Sequence, residues 1–134
     1  MSLRAVKPQH DYMQLLVGIM DAFNRHDWDG VVSYFADDGI WLASRGPEPR
    51  TGRTLRGKQA IKEYLTARHK IFPNLQWVQD KNWVMGDKGL SEWLVQGTST
   101  DGQRIDWLGC DLWEFANGKV TKKDTYWKVI EPKQ

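Results

Sequence analysis

The sequence predicts an α+β fold, with helices first and antiparallel strands after, the helices covering one face of a bent sheet. In the first half, apolar side chains recur at spacings of three and four, the period of an amphipathic helix. From Asn74 onward the chain reads as a β meander. Its alternation is broken by "DG" at 101–102 and "NG" at 117–118, dipeptides that favour tight hairpin turns. No repeat, low-complexity tract or linker interrupts the 134 residues, so 1–134 is expected to form a single domain large enough for a hydrophobic core.

Pro8 suits the first turn of a helix, followed on one face by Tyr12, Leu15, Leu16, Ile19, Met20 and Phe23. A second, short helix is expected from Asp27 or Asp29, either of which can cap it, with Val31, Val32, Tyr34 and Phe35 buried and "ADDG" (36–39) as its end. Residues 40–44 read as a short strand, and "RGPEPRTGRTLRG" (45–57) as a loop. Ala60, Ile61, Tyr64, Leu65, Arg68 and Phe72 then lie along one stripe of a third helix, which Pro73 stops. The remaining turns fall at "GDKG" (86–89) and at the two glycine dipeptides.

One strand asks a chemical question. In "IDWLGCDLWEF" (105–115), Ile105, Trp107, Gly109, Asp111, Trp113 and Phe115 share a face. A carboxylate buried there must find partners or keep a proton. With Asp101-Gly102 as a two-residue loop, Glu92 lies opposite Asp111, Leu94 opposite Gly109 and Gln96 opposite Trp107. Two acids so placed repel, and one of them tends to hold a proton. The next hairpin has two readings. A two-residue Asn117-Gly118 turn sets Asp124 opposite Asp111. A three-residue Ala116-Asn117-Gly118 loop sets Lys123 there, with Thr125, Trp127 and Val129 on its face. The second is preferred, because Glu92–Asp111–Lys123 is charge-compensated. Such a trio either pins strand register or forms the acid–base floor of a pocket. A cavity above it distinguishes the two.

Composition narrows the partners. Charge is nearly balanced, 19 Lys+Arg against 17 Asp+Glu, which argues against nucleic acid. The single cysteine, Cys110, excludes an internal disulfide framework and suits a reducing compartment, so a cytoplasmic setting is expected. Cys110 falls on the face opposite Asp111 and reads as a core or helix-facing thiol. No run reaches membrane-spanning length, and the start of the chain has no signal-peptide pattern. His10, His26 and His69 have no metal-ligand spacing, and neither a metal nor a cofactor is expected. Eight tryptophans could serve core, interface or pocket alike. Arg45, Arg50, Arg53 and Arg56 make the long loop either an ordinary solvated one or a mobile lid for an anionic substrate.

"DAFNRHDWDGVVSYFADDGIW", "RGKQAIKEYL", "FPNLQW" and "DLWEFANGKVTKKDTYW" occur in the order that resembles the nuclear-transport-factor-2-like superfamily, in its SnoaL-like and ketosteroid-isomerase-like branch, over roughly residues 10–130. The resemblance implies a cone-shaped α+β barrel: three N-terminal helices packed on a strongly curved, mostly antiparallel sheet, around a deep apolar pocket. It implies inward positions for Trp41, Glu92, Leu94, Gln96, Asp111, Trp113, Lys123, Thr125 and Trp127. Trp93 and Val95 would point outward, at a homodimer interface on the outer sheet face. Asp111 matches the aspartic acid that ketosteroid isomerases keep protonated as an oxyanion donor. The isomerases' tyrosine falls on Ile19 and their basic aspartate on Ala43, and an inward aspartate of epoxide hydrolase and cyclase members falls on Thr125.

The resulting expectation is a small-molecule pocket protein, an acid–base isomerase, cyclase or lyase acting on an apolar carbonyl or ring compound. Glu92 would be the base, Asp111 the protonated donor and Lys123 the group tuning both. Trp41, Tyr64, Gln96, Trp113, Thr125 and Trp127 would hold the small apolar or aromatic ligand. The alternative is a non-catalytic ligand-binding or dimeric interaction domain.

Overall fold

A computed structural model describes residues 10–133. Helix α1 (Tyr12–Asn24) starts from Asp11, whose carboxylate accepts the Gln14 N–H at 2.9 Å and so satisfies one of the free donors of the first turn. Pro8, the expected start, lies outside the described residues. The apolar stripe of α1 is buried as its spacing predicts. Helix α2 (Trp28–Ser33) is capped by Asp27 through the Gly30 N–H. Residues 36–39, expected to end that helix, instead lie in β1 (Phe35–Glu48), which is longer than the five-residue strand foreseen.

The expected loop over 45–57 is mostly a hairpin, formed by β1 and β2 (Gly52–Arg56), with Trp41 paired to Leu55. Its arginines looked like loop composition, yet β2 is an edge strand, where charged residues on the solvated side are ordinary. Arg45 belongs to β1, Arg53 and Arg56 to β2, and Arg50 to the turn, so a free-standing lid is not what this segment forms. Helix α3 (Gly57–Ile71) follows and buries Ile61 and Leu65.

The strands β3 (Gln76–Met85), β4 (Lys88–Thr98), β5 (Arg104–Ala116) and β6 (Lys119–Trp127) complete a curved six-stranded sheet, ordered β2-β1-β6-β5-β4-β3. All neighbours are antiparallel except β1 and β6. Helices α1 and α3 cover the concave face. Phe35, Leu16, Ile19, Ile61, Leu65 and Ile105 are almost wholly buried between them. Each such side chain contributes about 1.5–3 kcal/mol of burial.

Register departs from expectation at both hairpins. Between β4 and β5, Ser99 N–H bonds to Gln103 C=O and Gly102 N–H to Ser99 C=O, so the loop has three residues, Thr100-Asp101-Gly102. Gly102 takes the left-handed position at φ +86°, which closes such loops. The added loop residue puts Ser91, not Glu92, opposite Asp111 and Trp93 opposite Gly109. A slip of one residue reverses a strand's faces. Glu92, Leu94 and Gln96 therefore face outward, and Trp93 and Val95 are buried inside.

The β5–β6 turn has two residues, Asn117 (φ 52°) and Gly118 (φ 78°), but an irregularity between Glu114 and Phe115 adds one residue to β6. Thr125 consequently faces Asp111, and Lys123 faces Trp113. Neither foreseen pairing, Asp124 or Lys123 against Asp111, occurs. Lys123 and Thr125 nevertheless stay inward, because the turn and the bulge together preserve parity. Cys110 pairs with Glu92 and Tyr126 on the outer face, which no helix among the described residues covers, and is not a helix-facing thiol.

Candidate functional site

Between α1, α3 and the concave sheet lies a cavity of about 270 Å³. Six of the eight tryptophans line it: Trp41, Trp77, Trp93, Trp107, Trp113 and Trp127. The richness in tryptophan thus belongs mainly to one hollow rather than to dispersed core packing. Among the residues foreseen, Trp41, Tyr64, Asp111, Trp113, Lys123, Thr125 and Trp127 converge there. Glu92 does not: it is exposed on the far side of the sheet. Gln96 is likewise outside, donating Nε2 to Asp106 at 3.2 Å.

Four strands place the polar centre. Asp111 on β5 is 2% exposed and Lys123 on β6 4%. Lys123 Nζ donates to Asp111 Oδ1 at 2.9 Å and to Thr125 Oγ1 at 2.8 Å. Trp41 Nε1, from β1, also donates to Thr125 Oγ1, at 2.8 Å. An indole and an ammonium can only donate, so the Thr125 hydroxyl proton goes to Asp111 Oδ1, 2.6 Å away. Trp93, from β4, donates Nε1 to Asp111 Oδ2 at 2.9 Å. Nearby, Trp113 Nε1 donates to Ser91 Oγ at 2.9 Å.

Asp111 is therefore the acceptor of three hydrogen bonds, not the donor that ketosteroid-isomerase resemblance implied. A carboxylate offers about four lone-pair directions. One direction on Oδ2 stays open, and so does one N–H of Lys123. The Lys123 ammonium sits 4.0 Å from the centre of the Trp41 ring, a cation–π contact. Burial lowers the Lys123 pKa from the usual ammonium range, Asp111 opposes that shift, and the positive Arg68 nearby adds to it.

Arg68 reads in the sequence only as part of the α3 stripe, yet it lines the cavity beside the rings of Trp41 and Trp77, with Cζ 5.6 and 5.5 Å from their centroids. A signal was present: an arginine on a helix face otherwise made of Ala60, Ile61, Tyr64, Leu65 and Phe72. Trp93, also missed, had no such signal once the β4 register was misplaced. The Glu92–Asp111 acid pair does not exist. A single buried carboxylate among cations and aromatic rings takes its place, and it can accept a proton from a bound compound or hold a hydrogen-bonded one.

Comparison with known proteins agrees with this architecture. The SnoaL-like domain profile matches residues 17–123. A candidate polyketide cyclase of Xanthomonas campestris pv. campestris superposes with a TM-score of 0.77 at 20% identity, covering 87% of this chain and 89% of that one. TerC, co-crystallised with polyporic acid, gives 0.76 at 20% identity over 87% and 90% of the two chains. A protein of Catenulispora acidiphila with a ketosteroid-isomerase-like fold, in complex with trimethylamine, gives 0.73 at 16% identity over 84% of each. Comparison with curated protein sequences finds no match.

Proposed function

Since this chain belongs to the SnoaL-like domain family, we propose that its cavity takes a small, flat ring compound bearing a carbonyl and that Asp111 and Lys123 are its acid–base centre. The observation that carries this reading is the setting of Asp111: one carboxylate, paired with one ammonium, in the wall of an aromatic cavity. In the proposed step, the open lone pair of Asp111 Oδ2 takes a proton from the carbon next to the carbonyl. The electron pair moves onto the carbonyl oxygen, which the remaining Lys123 N–H stabilises, and Asp111 returns the proton to another atom of the conjugated system. Trp93 and Thr125 hold the carboxylate in position throughout. The candidate cyclase and the polyporic acid complex among the structural neighbours fit a ligand of this class.

A test requires no knowledge of the natural substrate. Exchange of the α-protons of 2-tetralone for deuterium, followed by NMR, reports proton abstraction directly. The wild-type protein should accelerate exchange over buffer, and Asp111→Asn should remove about a hundredfold or more of that acceleration, the usual contribution of such a group. Binding of the ketone without accelerated exchange would end the catalytic reading.

A second reading, a non-catalytic ligand-binding domain, is favoured by the three donors already engaging Asp111, and by Ile19 and Ala43 standing where the isomerase groups would be. The same experiment separates the two.

We further propose a homodimer through the outer sheet face. Trp93 and Val95, foreseen there, are inside, and the apolar groups outside are Trp83, Leu108, Leu112 and Tyr126, each 39–52% exposed. Sedimentation across a dilution series, with Leu112→Asp as the disrupting variant, should show dimer giving way to monomer. We likewise propose that residues 1–134 fold as one domain and, on the strength of a lone cysteine, that the protein works in a reducing, cytoplasmic setting.

A further inference from the structure

The cations and anions around the cavity do not balance. Its lining contains Arg45, Arg68 and Lys123, against one acid, Asp111. Lys123 and Asp111 neutralise each other at 2.9 Å. Arg45 is exposed and so stands at the opening. Arg68 stands deeper, and among the described residues its guanidinium makes no ion pair and no hydrogen bond. Its Nη2 has neither exposed surface nor a partner.

We infer that the cavity selects an anion, a flat ring compound carrying a carboxylate or a similarly delocalised acidic oxygen, with the Arg68 guanidinium as its counter-charge. This rests on the cavity being a ligand site, but not on the acid–base chemistry proposed for Asp111.

Three physical arguments support the assignment. A guanidinium stays charged at any pH the protein meets, so burial cannot be relieved by losing the proton. Desolvation lowers the Arg68 pKa, with Tyr64 and Asp111 only partly opposing it, which marks a cation short of anionic company. Trp41 and Trp77, each within about 6 Å of the guanidinium carbon, contribute cation–π attraction, but ring faces do not satisfy in-plane N–H groups. The in-plane N–H groups thus stay available, and the guanidinium fork suits the paired oxygens of a carboxylate. The same indoles, with Tyr64 and Phe72, provide surfaces for the flat body of the ligand. An exposed arginine at the mouth would raise the rate of capture of such an anion.

Calorimetric titration with 2-naphthoate and with 2-naphthamide, which share shape and differ in charge, tests the inference. The wild-type protein should bind the acid at least about tenfold more tightly than the amide. Arg68→Met should abolish that preference by weakening the acid far more than the amide, and Arg68→Lys should keep part of it. Equal affinity of wild type for acid and amide would overturn anion selection while leaving the cavity reading intact. Persistence of the preference in Arg68→Met would overturn the role of Arg68. Failure of both compounds to bind would remove the cavity reading and this inference with it. The wild-type comparison and Arg68→Lys decide the matter even if Arg68→Met does not fold.

Discussion

Trp93 Nε1 donates to Asp111 Oδ2 at 2.9 Å, reaching diagonally across the β4–β5 ladder from its own partner Gly109. This is the one bond from the protein to that oxygen among the described residues, since Lys123 and Thr125 both engage Oδ1. Trp93→Phe keeps most of the ring and deletes the donor. It should cost about 1.5–3 kcal/mol, the range for a hydrogen bond to a charged group, seen as a lower urea midpoint with an unchanged slope. A loss below about 0.5 kcal/mol would mean that the indole merely packs beside the carboxylate.

Gly109 is what lets that indole lie where it does. A methyl group at this position would sit 2.5 Å from Trp93 Cη2 and 2.6 Å from the Tyr126 carbonyl oxygen. The second neighbour is backbone of an adjacent strand and cannot step aside, so the indole or the ladder must move. Gly109→Ala should therefore destabilise, by about 2 kcal/mol or more, where the same change at an unstrained site is neutral to stabilising. It should also shift the tryptophan fluorescence, because Trp93 would leave Asp111. An unaltered spectrum with near-native stability would contradict the packing described.

The buried pair of Asp111 and Lys123 makes a sharper demand. Removing one partner leaves the other charge buried without compensation, a situation that costs about 3–5 kcal/mol. Lys123→Met should reach that range. The double replacement Asp111→Leu with Lys123→Met should recover much of the loss, leaving a coupling energy of 1 kcal/mol or more by the standard cycle, roughly as for contacting groups elsewhere. Additive effects would show that the two charges do not depend on each other.

What the sequence made legible follows from which signals are local. Helix periodicity placed the buried faces of α1 and α3, and alternation along β5 put Asp111 among inward aromatics, because each pattern is written within one element. The pairing of β4 depended on one loop residue. Thr100 joins the Asp101-Gly102 turn because Ser99 and Gln103 close around it, with the Ser99 hydroxyl accepting the Gln103 N–H at 2.9 Å. That single residue exchanged Glu92 for Trp93 at the site. On β6 the turn and the bulge offset each other, so Lys123 and Thr125 were placed on the correct face through an incorrect rung. Arg68 remained unread because a charge on an apolar stripe is usually solvated, and only the assembled cavity reveals it beside two indoles.

Cys110 gives a last prediction, and its sign can be worked out. The thiol is half-buried on the outer face, between Glu92 and Tyr126. Burial raises its pKa above the ordinary thiol value, and the negative charges of Asp111, Glu92 and Asp124 raise it further. A raised pKa means less thiolate at a given pH, and the thiolate is the nucleophile. Alkylation by iodoacetamide at pH 8 should thus be much slower in the native protein than in urea, and the midpoint of its pH–rate profile should lie above the ordinary value of about 8.5. Glu92→Gln removes one of the three charges and should move that midpoint downward. A native thiol that reacts at the unfolded rate, or a midpoint that ignores Glu92→Gln, would place residue 92 away from Cys110 and reopen the question of which way β4 faces.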